Sequence, residues 1–188
     1  MRNFSIISNN CWSNKIYERL NLPYQTPFVN IFFHPDCFLQ MLSNLEWYLN
    51  RPLWFVKRSR HNVINRLRED RKANYPIAML HDVELQCLHF HTEAEVVDTW
   101  ARRLARMAPD ESRRFYKFSD EHGCTRQQLE QFDALPFANK VCFTSKPMPH
   151  LKSAVHIPYG GNDGVPFAEQ TDLKYFDAIQ WLNSEPPV

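Results

Sequence analysis

Asp82-Val83-Glu84 sets two carboxylates one residue apart. In an extended segment that spacing turns both side chains to one face, which suits a divalent cation bridging the phosphates of a nucleotide-sugar donor. Asp82 alone would equally serve as a base or as a group that orients a ligand. A solvated sheet face also accounts for the pair without any chemistry. His89-Phe90-His91 repeats the geometry with imidazoles. A closed zinc site needs further ligands, and no CxxC or HExxH pattern supplies them, so no metal site is assigned from the sequence. Histidines titrating near neutrality suit acid-base work, for which His89 is the candidate, and they equally suit hydrogen bonding ahead of a helix.

Three polar turns complete the set. Ser8-Asn9-Asn10-Cys11 follows a short apolar run and precedes a helical pattern, so its free amides and the positive end of the helix dipole would attract an anion. Asn9 and Asn10 would orient that ligand, or would simply cap the helix. Cys11 beside a helix start is placed to gain thiolate character, with a histidine such as His89 as its partner, unless it is an ordinary buried cysteine. Asp120-Glu121-His122-Gly123-Cys124 ends a predicted strand. Asp120 is the residue there for substrate hydroxyls or general-base work, His122 stands beside it, and Gly123 permits a left-handed turn. Lys146, after Thr144-Ser145, would meet a phosphate or lie exposed.

An alternation of strands and helices must position these residues. Phe4 to Ile7, Phe28 to Phe33, Leu53 to Val56, Phe115 to Phe118, Lys140 to Thr144 and Ala154 to Ile157 read as strands. Tyr75 to Phe90 is long enough for two strands joined at His81-Asp82. Helical stripes run from Ile16 to Leu20, from Phe38 to Leu49 with Pro52 as the stop, from Val96 to Met107, from Leu129 to Leu135, and over Asp177 to Leu182. Thr92 with Glu95, and Thr125 with Gln128, have capping-box spacing. Lys57 to Lys72 is a basic patch, read either as a solvated loop or helical turn, or as a lid over an anionic ligand such as a nucleotide diphosphate. Residues 160–164 predict a bend. No repeat or long linker divides the chain.

The predicted architecture is therefore a single α/β domain over residues 1–188, three-layered and Rossmann-like around a mainly parallel sheet, because parallel strands need crossovers that are usually helical. Ligands in such folds lie beyond the carboxyl ends of the strands. That rule would gather Ser8 to Cys11, His81-Asp82 and Asp120 to Cys124 on one rim.

Composition narrows the function classes. A hydrophobic share of 44% and a charged share of 23% describe a globular chain and argue against wholesale disorder. Four glycines against thirteen prolines, with no Walker or Rossmann glycine fingerprint, leave little room for a Gly-rich phosphate loop. A net charge of +1 gives no reason to expect a nucleic-acid polymer as partner. No apolar run is long enough to span a bilayer, and the short run at Phe4 to Ile7 reads as a strand rather than a signal peptide. Five widely spaced cysteines, an odd number, fit reduced thiols and a cytoplasmic location.

Ile7-Ser8-Asn9-Asn10-Cys11-Trp12, Pro27-Phe28-Val29-Asn30, Leu42-Ser43-Asn44-Leu45-Glu46, Asp82-Val83-Glu84, Leu88-His89-Phe90 and Gly123-Cys124-Thr125, in that order, carry a family likeness. The chain resembles, from about Phe4 to Lys146, a bacterial domain-of-unknown-function family whose members are loosely described as capsular or exopolysaccharide biosynthesis proteins. Ser13-Asn14 stands where relatives carry glycines after the Cys-Trp pair, a departure that argues against a tight phosphate-binding turn. The resemblance implies an α/β fold and a place in surface-polysaccharide assembly. The expected function is a transferase moving a glycosyl or related group from a small-molecule activated donor to a saccharide acceptor, with a divalent cation as a conceivable cofactor. In that reading Asn9 to Cys11 receive the donor phosphate, Asp82 or Asp120 activates the acceptor, and Glu84, His122 and Lys146 contact substrate. A binding or assembly protein without turnover, and an acyltransferase acting through Cys11, are the alternatives.

Overall fold

In the computed structural model, residues 3–158, 164 and 174–184 are described. The chain runs β1 (Ser5–Ser8), α1 (Trp12–Arg19), α2 (Pro35–Leu42), α3 (Leu45–Leu49), β2 (Leu53–Val56), α4 (Asn62–Asp70), β3 (Ile77–Leu80), β4 (Val83–Gln86), α5 (Glu93–Leu104), β5 (Arg114–Ser119), α6 (Arg126–Ala134), β6 (Lys140–Thr144), β7 (Ala154–His156) and α7 (Ala178–Asn183). The fold is mixed α/β. A four-stranded sheet in the order β1-β5-β6-β7 is parallel at every pairing.

Both faces of this sheet are covered. Ile7, Tyr116, Phe118 and Cys142 pack with Phe38 and Met41 of α2, Val96 and Trp100 of α5, and Leu129 and Phe132 of α6. Ile6, Phe115, Val141 and Phe143 point the other way, against Trp12 and Ile16 of α1 and Ala178 and Leu182 of α7. Neighbouring strand residues thus enter opposite cores, which is why the strands read as unbroken apolar runs rather than as an alternation. The carboxyl ends of β1, β5 and β6 are left between the layers, and the polar turns begin there.

β2, β3 and β4 form a separate three-stranded antiparallel sheet. His81-Asp82 is the turn of its β3–β4 hairpin, with His81 at φ 54. The predicted position of this pair at the carboxyl end of a parallel strand is corrected accordingly. The predicted strand Phe28 to Phe33 is also corrected. It shrinks to one bridging residue, Phe32, whose amide and carbonyl both bond Gln86 at 2.9 Å. Asn30 at φ 68 breaks the extended path, while Phe28, Val29, Ile31 and Phe33 remain buried, so their aromatic and β-branched character served the core and not a ladder. The Phe33 amide donates to the Asn9 carbonyl at 2.8 Å, so this short segment joins the hairpin sheet to the end of β1.

The predicted helix from Phe38 to Leu49 is two helices, broken where Asn44 takes φ −152 and ψ 57. The basic patch holds α4; Arg66 on the helix and Arg71 and Lys72 just after it are exposed. Of the predicted bend at 160–164, only Gly164 is among the described residues. No helix among them is long and apolar enough to cross a membrane.

Candidate functional site

β1 and β5 end side by side, and Asn9 clamps them. Its Oδ1 accepts the Ser119 amide at 3.1 Å and its Nδ2 donates to the Ser119 carbonyl at 3.3 Å. Asn10 is the hub of a buried polar network. Its Oδ1 accepts from Lys117 Nζ at 2.9 Å, from Ser8 Oγ at 3.2 Å and from the Trp12 amide at 3.1 Å, and its Nδ2 donates to Glu121 Oε1 at 2.8 Å. Lys117 is 1% exposed and Glu121 5%. A buried ammonium and a buried carboxylate survive desolvation only when they are neutralised and hydrogen-bonded, and Asn10 bridges the two. Glu121 Oε2 lies 3.7 Å from His122 Nε2, which extends the network to the turn after β5. No motif singles out Lys117; its signal is a lysine inside the aromatic strand Phe115 to Phe118, where a charge must find a partner.

Ser8, Asn9 and Asn10 are thus buried and bonded to one another and to β5, a strut beneath the site rather than an open donor-receiving turn. Cys11 is fully buried, and burial, followed by the charge of Glu121, pushes its thiol up to about 12 against the opposing pull of Lys117. It stays protonated at neutral pH, in line with the reading of an ordinary buried cysteine and against the thiolate alternative. His89 stands exposed in the turn between β4 and α5, so it is not the partner of Cys11 and lies at the surface.

Beyond the ends of β5 and β6 opens a cleft of about 350 Å³ whose walls include Asp120, Cys124, Arg126, Ser145, Lys146 and Gly164. Asp120 Oδ2 accepts both the amide and the hydroxyl of Ser145 at 2.7 Å, fixing the carboxylate across the two strand ends. His122 at φ 54 and Gly123 at φ 76 are both left-handed and reverse the chain between β5 and α6. Gly164, at φ +80, packs on Asp120 so closely that a Cβ would stand 1.8 Å from the Asp120 carbonyl oxygen. Lys146 and Arg126 are exposed on the rim, Arg126 with its Nε on Glu130 Oε1 at 2.8 Å. α6 begins at the cleft with the predicted capping box, Thr125 and Gln128 bonding each other's backbone. Burial, then the charges of Asp120 and Asp36, push the Cys124 thiol up to about 12, so it too is no thiolate.

The paired acids Asp82 and Glu84 do not share a ligand face. Asp82 accepts from Gln40 Nε2 at 2.6 Å and from the Tyr48 hydroxyl at 3.0 Å, tying the hairpin to α2 and α3. Glu84 is 2% exposed and accepts from Ser59 Oγ at 3.0 Å and the Arg60 amide at 2.9 Å. The solvated sheet face read for the pair is corrected for Glu84, which is buried, and the two carboxylates bond different partners rather than one common ligand.

A different group could hold an ion. His34, Asp36 and His61 offer ligand atoms that all lie within 4.8 Å of one another. The two rings stack, centroids 3.9 Å apart and 15° between planes. His34 Nδ1 is buried without a hydrogen-bond partner and lies 3.6 Å from Asp36 Oδ2. Burial, then the neighbouring His61, lowers the His34 pKa to about 4, so the ring is neutral at neutral pH. Asp36 Oδ1 accepts from Gln128 Nε2 in the first turn of α6, and this bond brings the group to the border of the cleft. No spacing rule finds it, because His61 enters from the start of α4, far along the chain from His34.

Two comparisons match this molecule to known proteins. An uncharacterized protein of Haemophilus influenzae (strain ATCC 51907 / DSM 11121 / KW20 / Rd) is 33% identical over 192 residues, spanning 95% of this chain and 84% of that protein. The profile of a domain of unknown function, DUF1919, matches residues 1–183. With nearly its whole length matched, the chain belongs to the DUF1919 family.

Proposed function

We propose that the protein is a transferase that moves a glycosyl or related group from an activated, phosphate-bearing donor to a saccharide hydroxyl, in cytoplasmic assembly of a bacterial surface polysaccharide. The observation that carries the chemistry is the cleft at the carboxyl ends of β5 and β6, where one fixed carboxylate, Asp120, faces a rim bearing Lys146 and Arg126. Its volume of about 350 Å³ falls at the lower end of the range for small-molecule sites, and its position matches where parallel α/β sheets hold ligands, in keeping with a Rossmann-like reading of the layers. Lys146 and Arg126 would hold the donor phosphates. Asp120 would orient the acceptor hydroxyl and take its proton as the acceptor oxygen bonds the transferred carbon and that carbon's bond to the donor phosphate breaks, the phosphate leaving with the bonding electrons and staying against Lys146 and Arg126. The buried strut of Asn10, Lys117 and Glu121 would fix the floor. The pathway rests on the resemblance of the ordered motifs from Ile7 to Thr125 to polysaccharide-biosynthesis proteins.

The test is thermal unfolding of the full chain with a panel of nucleotide sugars, with and without divalent cation. A stabilising donor is expected to shift the midpoint in a concentration-dependent way, and Asp120→Asn to keep that shift while losing transfer to an acceptor. A midpoint that no donor moves would remove this reading, and an Asp120→Asn variant with full transfer would remove the role of Asp120.

A further inference from the structure

We propose that His34, Asp36 and His61 form a binding site for a divalent transition-metal ion of the zinc type. The side chains come from two places, the start of α2 for His34 and Asp36 and the residue before α4 for His61, yet their ligand atoms converge within 4.8 Å. A tetrahedral zinc ion with ligands at about 2.0–2.1 Å sets neighbouring ligand atoms roughly 3.3 Å apart. The 3.6 Å between His34 Nδ1 and Asp36 Oδ2 is close to that spacing, so small side-chain rotations would close the set.

Two further features point to a ligand. His34 Nδ1 is buried with no hydrogen-bond partner, a costly state for a ring nitrogen that coordination would relieve. The rings of His34 and His61 stack 3.9 Å apart, which holds the two ligands side by side, and His61 Nε2 accepts from Arg60 Nε at 3.3 Å, a bond that an ion taken at that nitrogen would replace. The outer shell is also built. Gln128 is held at its Oε1 by the Thr125 amide at 2.7 Å and donates through Nε2 to Asp36 Oδ1, which leaves Oδ2 towards His34. Such outer partners fix the orientation of ligating carboxylates. Arg60 is the nearby cation that would oppose binding, but buried Glu84 lies 3.9 Å from its Nε and 3.7 Å from His61 Nε2, which offsets that charge.

Two imidazoles and one carboxylate select borderline ions over magnesium or calcium, and three protein ligands leave a position open to water or substrate. The site borders the cleft through α6. Its existence is independent of the transferase reading, because metal uptake is measured without a donor.

The experiment is titration of Zn²⁺, and separately of Co²⁺ followed by its visible absorption, into the chelator-treated full chain. The variants are His34→Ala, Asp36→Asn and His89→Ala, each checked by circular dichroism. Asp36 has a side chain 60% exposed, so Asp36→Asn keeps the fold even if His34→Ala does not. One ion per wild-type chain is expected. Affinity should fall about tenfold or more in His34→Ala and Asp36→Asn, stay unchanged in His89→Ala, and show no comparable uptake of Mg²⁺. A wild-type chain that takes up no Zn²⁺ or Co²⁺, or an Asp36→Asn variant that binds as tightly as wild type, overturns the proposal.

Discussion

Single residues set the stakes at the site, and Lys117 carries the largest. Its ammonium is 1% exposed and reaches Glu121 through Asn10, so removing it leaves a buried carboxylate short of its compensation. Lys117→Met should lower unfolding free energy by about 3–5 kcal/mol in urea titration. A loss under about 1 kcal/mol would mean that the network contributes little to folding. Gly164 sets the shape of the cleft wall. Alanine there would need a left-handed backbone at φ +80 and would drive its Cβ into the Asp120 carbonyl. Gly164→Ala should cost more than about 1 kcal/mol and displace Asp120, so donor-induced stabilisation should fall further than global stability does. Unaltered donor binding in that variant would show that the contact with Asp120 is dispensable.

Among the elements, α6 walls one side of the cleft through Arg126 and Leu129, and it is held at both ends. Its capping box at Thr125 and Gln128 starts it, and Thr125→Ala should cost about 1 kcal/mol by thermal unfolding. Near its other end Asp133 accepts the Ser153 amide at 2.7 Å and hydroxyl at 2.6 Å, docking the helix against the turn into β7. Partial burial acts to raise the Asp133 pKa, but the Ser153 bonds, the Lys152 amide and the charge of Lys140 hold it below the ordinary carboxylate value. A carboxyl whose pKa is lower folded than unfolded contributes stability above its unfolded pKa and loses it as pH falls through the folded value. Wild type should therefore lose more stability than Asp133→Asn when urea titrations at neutral pH are repeated below about pH 3.9; parallel losses would contradict this. The capping residues of α5 and α6, the strands β5 and β6, and the break between two strands at His81-Asp82 were legible in the sequence, because side-chain caps and short apolar runs are local signals. Phe28 to Phe33 misled because its residues are buried as a strand's would be while Asn30 turns the backbone. The partner of β2 was hidden as well, since nothing local in Leu53 to Val56 shows that it pairs antiparallel with β3 in a second sheet; the two-residue join of β3 and β4, by contrast, permits only antiparallel pairing.

At the scale of the whole molecule, two sheets share one joint, Phe32 with Gln86 on one side and Phe33 with Asn9 on the other. The joint divides what the sequence had gathered on a single rim: Asp120, His122 and Lys146 stay at the parallel strand ends, while Asp82 and Glu84 go with the hairpin. Strand ends in one parallel sheet converge by topology, so the turns after β1, β5 and β6 could be grouped from sequence; the hairpin acids could not be excluded without the register. The contrast between the two sets of acids also tests the account most directly. Once a nucleotide sugar that stabilises the protein has been found, its affinity is measured by calorimetry for wild type, Lys146→Ala and Asp82→Asn. Loss of a phosphate contact should weaken Lys146→Ala about tenfold, or roughly 1.4 kcal/mol, while Asp82→Asn binds as wild type does. Undiminished affinity in Lys146→Ala together with a loss in Asp82→Asn would place the ligand at the hairpin and contradict the account.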